Sequence, residues 1–244
     1  MIDILQCGWK FPSDTVYVLG TGPNGVGHYH KIPHDAWVIG VNQAIDLNTG
    51  PLKYQPHDIE ARMALARAQM ETEVSIPIAI WLCADTTLPK QKWFIDQAQV
   101  TIDCEFELDN PRNPTPVFGT APEVHKALTT AYPDVPYYFE HGYSLREPPV
   151  FEPMPDRLRA GGSVGAQGVQ LAYHLGAKNI IICGIDMAGS GYFNGEENIA
   201  PRIEPDGTSK HLRIFQGLCV WLKGAGIRVR SLSPTALDVE VVGE

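Results

Sequence analysis

Short apolar, β-branched runs alternating with stretches of 3.6-residue apolar periodicity predict an α/β fold, Rossmann-like and doubly wound, with helices on both faces of a mostly parallel sheet. Three observations carry this expectation. The apolar runs are nearly continuous, as they are in strands buried on both faces. The helical stripes open on capping residues and close on glycine. The 23 glycines and 20 prolines among 244 residues supply the turns that such a winding needs.

In chain order, residues 15–19 (Thr-Val-Tyr-Val-Leu) read as the first strand, stopped by Gly20. Residues 36–41 read as the second, 76–83 as the third, 179–183 (Asn-Ile-Ile-Ile-Cys) as a late strand and 227–231 as the last. From the N-cap candidate Asp58, Ile59, Met63, Ala66 and Met70 recur at helical spacing. After Ser163 come Val164, Gly168, Leu171, Ala172 and Leu175, closed by Gly176. After Ser209 come Leu212, Phe215, Cys219 and Leu222, closed by Gly224. Proline clusters near 109–122 and 147–156 read as ordered loops or a lid, since both flanks look like parts of one sheet. A single domain over 1–244 follows.

Composition narrows the function. The formal net charge is −9, which argues against sequence-independent nucleic-acid binding, because that needs basic surface. No apolar run approaches the roughly 18–20 residues of a membrane span. The start, Met1-Ile2-Asp3-Ile4, lacks the basic and apolar regions of a signal peptide. Cys7, Cys83, Cys104, Cys183 and Cys219 are scattered and odd in number. They read as reduced thiols of a cytoplasmic protein. His28, His30 and His34 match no standard zinc spacing and read as a surface loop, so no metal site is expected. A homo-oligomer is compatible with all of this.

Ligands of open α/β sheets bind outside the carboxyl ends of the strands, and four loops here leave such ends or face them. Gly20-Thr21-Gly22-Pro23-Asn24-Gly25 satisfies G-x-G-x-x-G and reads as a nucleotide or phosphate loop. The competing reading is a ligand-free strand-to-helix turn. An NAD site would put an acid at the end of the second strand; Asn42-Gln43 stands there instead, suited to a base edge or sugar hydroxyls, or to bracing the neighbouring loop. Arg157, Arg159, Gly162 and Ser163, with Gly165 in the first turn, place glycines, a hydroxyl and two cations near a helix N-terminus, either as an anion site or as an ordinary N-cap. Asp186 ends the late strand, where it would bind sugar hydroxyls or Mg²⁺, orient a base, or cap local backbone N–H groups in a Gly-rich turn. Thr208, Lys210 and His211 stand at the entrance to the last helix.

The segments GTGPNG, VIGVNQAI, GGSVGAQGVQLAYHLGAKNIIICGID and TSKHLRIFQGLCVWLKGAGIRVRSLSPTAL, in that order, resemble the bacterial sialyltransferases of glycosyltransferase family 42. They are also similar to the 6-hydroxymethylpterin diphosphokinase-like (MptE-like) proteins, to which the Gly-Gly-Ser-Val run lies closer. The likeness covers 15–46 and 159–237. The first resemblance implies a site for CMP-sialic acid or another nucleotide sugar on Gly20, Gly22, Pro23, Asn24, Asn42 and Gln43, with the donor also held at Ser163-Val164-Gly165. It implies a tyrosine, Tyr192, assisting departure of the phosphate. The family's general-base histidine falls on Thr208, leaving His211 or Asp186 for that task. On a continuous helix, His211 would be turned about 300° from residue 208.

Three functions follow as expectations. The first is a transferase acting on a nucleotide-linked sugar, with a small-molecule nucleotide as partner. The second is a diphosphokinase using ATP, with Asp186 and Asp85 holding Mg²⁺. The third is a non-catalytic relative that keeps the nucleotide cleft.

Overall fold

A computed structural model describes residues 2–6, 8–42, 44, 78–83, 115–120, 137–142, 152–159, 163–187 and 209–242. Among the described residues ten strands appear, in the order β1 (Ile2–Asp3), β2 (Thr15–Leu19), β3 (Trp37–Val41), β4 (Ile80–Cys83), β5 (Thr115–Thr120), β6 (Tyr137–Gly142), β7 (Leu158–Arg159), β8 (Asn179–Cys183), β9 (Arg228–Ser231) and β10 (Glu240–Val241). Helix α1 (Val164–His174) precedes β8 and helix α2 (Lys210–Gly224) follows it. The sheet runs β1-β6-β5-β4-β3-β2-β8-β9-β10, with β7 on β6, and every pairing is parallel. This is the α/β, Rossmann-like architecture the sequence predicts.

The order runs down from β6 to β2 and then jumps to β8, so the winding reverses between β2 and β8. Such a reversal leaves a crevice at the carboxyl ends of the two strands, because their exit loops part to opposite sides. In register, Leu19 lies opposite Cys183. The loops beginning at Gly20 and Gly184 therefore leave the sheet side by side.

Alternating residues sort onto two faces. Val16, Val18, Ile39, Val41, Ile180 and Ile182 join α1 and α2 in the larger core cluster. Leu19, Val38, Ile181 and Cys183 face the other way, under Tyr29 and Ile32. Helices on both faces are expected; among the described residues, both α-helices cover one face and the 23–36 segment covers the other. Gly168 lets α1 settle onto the sheet: a Cβ there would stand 2.7 Å from Val18 Cγ1.

Several boundaries shift. The strands expected at 36–41, 76–83 and 227–231 begin at Trp37, Ile80 and Arg228, and the last of these is followed by a further strand, β10. Gly176 closes α1 at φ +97°, as expected, but α2 runs through Gly224 and the left-handed position is Gly226, at φ +80°. The 109–122 stretch is not only a proline-rich loop, since it contains β5; the described part of 147–156 has no helix or strand. The helix expected from Asp58 lies outside the described residues. Among those described, no helix is long and apolar enough to cross a membrane.

Candidate functional site

The glycine-rich loop folds into a 3-10 turn, Pro23–Gly25, with Pro23 at its start where no N–H is needed. Four of its five backbone donors are spent inside the protein. Gly20 N–H donates to Cys183 O at 2.8 Å, Gly22 N–H to Gly184 O at 2.6 Å and Gly25 N–H to Gly22 O at 3.0 Å. Asn24 N–H donates to Asp186 Oδ2 at 2.8 Å. A Cβ on Gly22 would stand 2.5 Å from Asp186 Cγ, so this glycine exists for close approach to a carboxylate. The loop expected to cradle a phosphate already holds an anion of the protein's own.

Asp186 is thus the point where the glycine-rich loop and the loop after β8 meet. It is only 4% exposed, and its Oδ1 is buried without a hydrogen-bond partner. Burial raises its pKa from the ordinary carboxylate range, and the Asn24 N–H opposes that in part. The competing reading of Asp186, capping of local backbone N–H groups, is not what is found: one oxygen caps Asn24, 162 positions away, and the other has no hydrogen-bond partner among the described residues.

The N-terminus of α1 faces the same rim. A Cβ on Gly165 would meet Ile185 Cδ1 at 3.1 Å and Ser163 Oγ at 3.3 Å, so the first turn of α1 abuts the loop after β8. Ser163 occupies the N-cap position, yet its hydroxyl makes no capping bond. An ordinary N-cap is therefore not what Ser163 is. The first amides of a helix have no intrahelical acceptor and sit at its positive end, which suits an anion. Gln170 of α1, fully buried, grips Arg159: its Oε1 accepts Arg159 N–H at 2.9 Å and its Nε2 donates to Arg159 O at 3.1 Å. Arg157 instead pairs with exposed Asp156 at 3.0 Å.

Asn42 leaves β3 in the left-handed region, φ +48°, beside β2 at the same carboxyl rim. Ser209 caps α2, its Oγ accepting Leu212 N–H at 3.4 Å, and partly buried His211 lies in that first turn. Because α2 begins at Lys210, the helical rotation does not relate His211 to residue 208. Helix α2 ends at the start of β9, so its first turn, with His211, lies at the end of the helix away from that start. The structure brings Gly20, Gly22, Pro23, Asn24, Asn42, Ser163, Gly165 and Asp186 to one end of the sheet. Gln43, Gly162, Tyr192 and Thr208 lie outside the described residues. Among the described residues no group of three His, Cys, Asp or Glu side chains gathers as a metal site would require.

Two sets of contacts escape sequence reading. Tyr29, fully buried, donates its hydroxyl toward Gly20 O and Gly22 O at 3.3 and 3.4 Å, beneath the loop. Gly25 and Gly184 leave room for it. The chain after β9 packs along the loop after β8 through Ser233, Thr235 and Ala236. Nothing in residue type marks these contacts, which depend on strand order.

No protein-family model matches the chain, and no curated protein does. Solved structures do. The sialyltransferase CST-II bound to a trisaccharide acceptor and CMP is 12% identical, with a TM-score of 0.50 over 94% of this chain and 86% of that one. CstII from Campylobacter jejuni with CMP-3FNeuAc is 14% identical at the same TM-score and coverage. A CST-II variant bound to CMP is 13% identical, again at 0.50 over 94% and 86%. At these identities the likeness establishes a sialyltransferase-like fold.

Proposed function

We infer that the crevice binds a nucleotide-linked sugar and that the protein is a glycosyltransferase. The observation that carries this is the pairing of an occupied glycine loop with an uncapped helix N-terminus at the strand-order reversal. Asp186 fills the first with negative charge, so a second phosphate placed there would meet a carboxylate at close range. Among the described residues one anion position remains, at Ser163 and the first turn of α1. The arrangement therefore favours a donor carrying a single phosphate, a nucleoside monophosphate sugar such as the CMP conjugates seen in the structural neighbours. Those neighbours lend nothing to ATP-dependent diphosphate transfer with Mg²⁺.

In this reading Ser163 and Gly165 receive the phosphate, with Arg159 adding positive charge. Asn42 and Gln43 meet the nucleoside, and the free Oδ1 of Asp186 accepts a hydrogen bond from a donor hydroxyl or amine. The acceptor oxygen attacks the anomeric carbon as the bond to phosphate breaks. His211 takes the acceptor's proton and Tyr192 steadies the departing phosphate.

Thermal melting with CMP, CMP-sialic acid, UDP-sugars and ATP with Mg²⁺ tests this. A ligand at about a hundred times its Kd adds about 2.7 kcal/mol, a rise of about 5–10 °C for a chain of this size. CMP compounds should give it and UDP-sugars should not. His211→Ala should keep CMP binding and slow donor turnover about 100-fold or more. No response to any nucleotide removes the reading, and binding without turnover replaces it with a non-catalytic nucleotide-binding role.

A further inference from the structure

The chain leaving β9 holds the central loop residue by residue. Ser233 Oγ, fully buried, accepts Gly184 N–H at 2.9 Å. Thr235 Oγ1 donates to Ile185 O at 2.7 Å. Ala236 N–H donates to Asp186 O at 2.8 Å. Pro234 O accepts from Asn24 Nδ2 at 3.2 Å, and Asn24 is the residue whose own N–H holds Asp186 Oδ2. Asp186 is therefore fixed on its backbone side by the 233–236 strap and on its side-chain side by the glycine loop, with the strap tied to both. Immediately beyond, Met187 is left-handed at φ +56°, so the chain turns sharply away just where the carboxylate must be held.

We propose that Thr235 is a positioning residue: its hydroxyl sets Ile185 and Asp186 so that the free Oδ1 meets the bound nucleotide. The proposal rests on the nucleotide reading above. Thr235 is the informative member of the strap for three reasons. Ala236 contributes only backbone. Ser233 is fully buried, and its loss would leave the Gly184 N–H without an acceptor. Thr235 is half-buried, makes the shortest of these four bonds, and can be replaced by valine with its shape kept. Its hydroxyl donates toward Ile185 O at 2.7 Å, with Asp186 O a longer acceptor at 3.4 Å, and its oxygen accepts Leu237 N–H at 3.3 Å.

The test is calorimetric titration of CMP into wild type, Thr235→Val, Thr235→Ser, Asp186→Asn and the Thr235→Val/Asp186→Asn double variant. Amide spectra of each follow the Asn24 N–H, which reports the Asp186 carboxylate directly. Thr235→Val should weaken CMP about three- to ten-fold, the worth of one hydrogen bond, and move the Asn24 amide. Thr235→Ser should restore both, and the valine effect should vanish when Asp186 is already Asn. Thr235→Ala replaces the valine variant if that chain does not fold. Wild-type affinity in Thr235→Val, or an undiminished loss in the double variant, overturns the proposal. If wild type binds no nucleotide the functional reading falls, and the amide spectrum still decides: an Asn24 signal unmoved in Thr235→Val overturns the positioning role, and a moved one upholds it.

Discussion

At the scale of single residues, Gly22 makes the most exposed bet. Any side chain there must push the Asp186 carboxylate aside, since a Cβ would lie 2.5–2.7 Å from its Cγ and both oxygens. Gly22→Ala should therefore cost about 1–3 kcal/mol of stability and abolish measurable CMP binding, as read by urea melts and calorimetry; unchanged affinity would show that Asp186 is not where the ligand sits. The glycine itself was legible from G-x-G-x-x-G, but its partner was not. The motif is written for close approach of an anion, and residues 20–25 alone do not say whether that anion is a phosphate or a carboxylate 162 positions on. Ser163 was legible as a helix start. That its hydroxyl makes no capping bond is not something the local pattern encodes.

At the scale of elements, α1 is positioned by what it lacks. Gly168 stands over Val18 and Val41, where an added methyl would fall 2.7 and 3.0 Å from their Cγ1 atoms. Gly168→Ala should improve helix propensity by about 1 kcal/mol and still lose about 1–2 kcal/mol overall through overpacking against β2 and β3. A denaturant midpoint above wild type would refute that packing. Strands β2, β3, β8 and β9 and both described helices were legible, because buried parallel strands and capped amphipathic helices have strong local signatures. Strand β5 was hidden by Pro116, which gives up a ladder bond yet pairs opposite Trp81 inside the sheet, against the usual confinement of proline to edges. Strand β6 was announced only by Tyr137, Tyr138 and Phe139, an aromatic run too short to separate from a loop.

At the scale of the whole molecule, acid should act through His174 at the far end of α1. Burial, with some repulsion from Lys10, lowers its pKa to about 4. The unfolded chain takes up that proton near the ordinary value of about 6.5, so stability present above pH 6.5 is lost as pH falls toward 4. The loss is on the order of 2–3 kcal/mol. Melting temperature should fall through that window, and His174→Gln should flatten the fall; a flat wild-type profile would show that His174 is not buried neutral.

The strand order also governs how the chain must be made. Strand β2 lies mid-sheet, but its second neighbour is β8, with Leu19 set against Cys183. While synthesis proceeds from one to the other, β2 presents an open hydrogen-bonding edge of the kind that recruits other chains. Loop closure over such a distance is slow. A nascent protein stalled before β8 would keep that open edge and lack the β2–β8 junction, whereas the completed chain closes the edge and forms the junction at one stroke, when β8 docks.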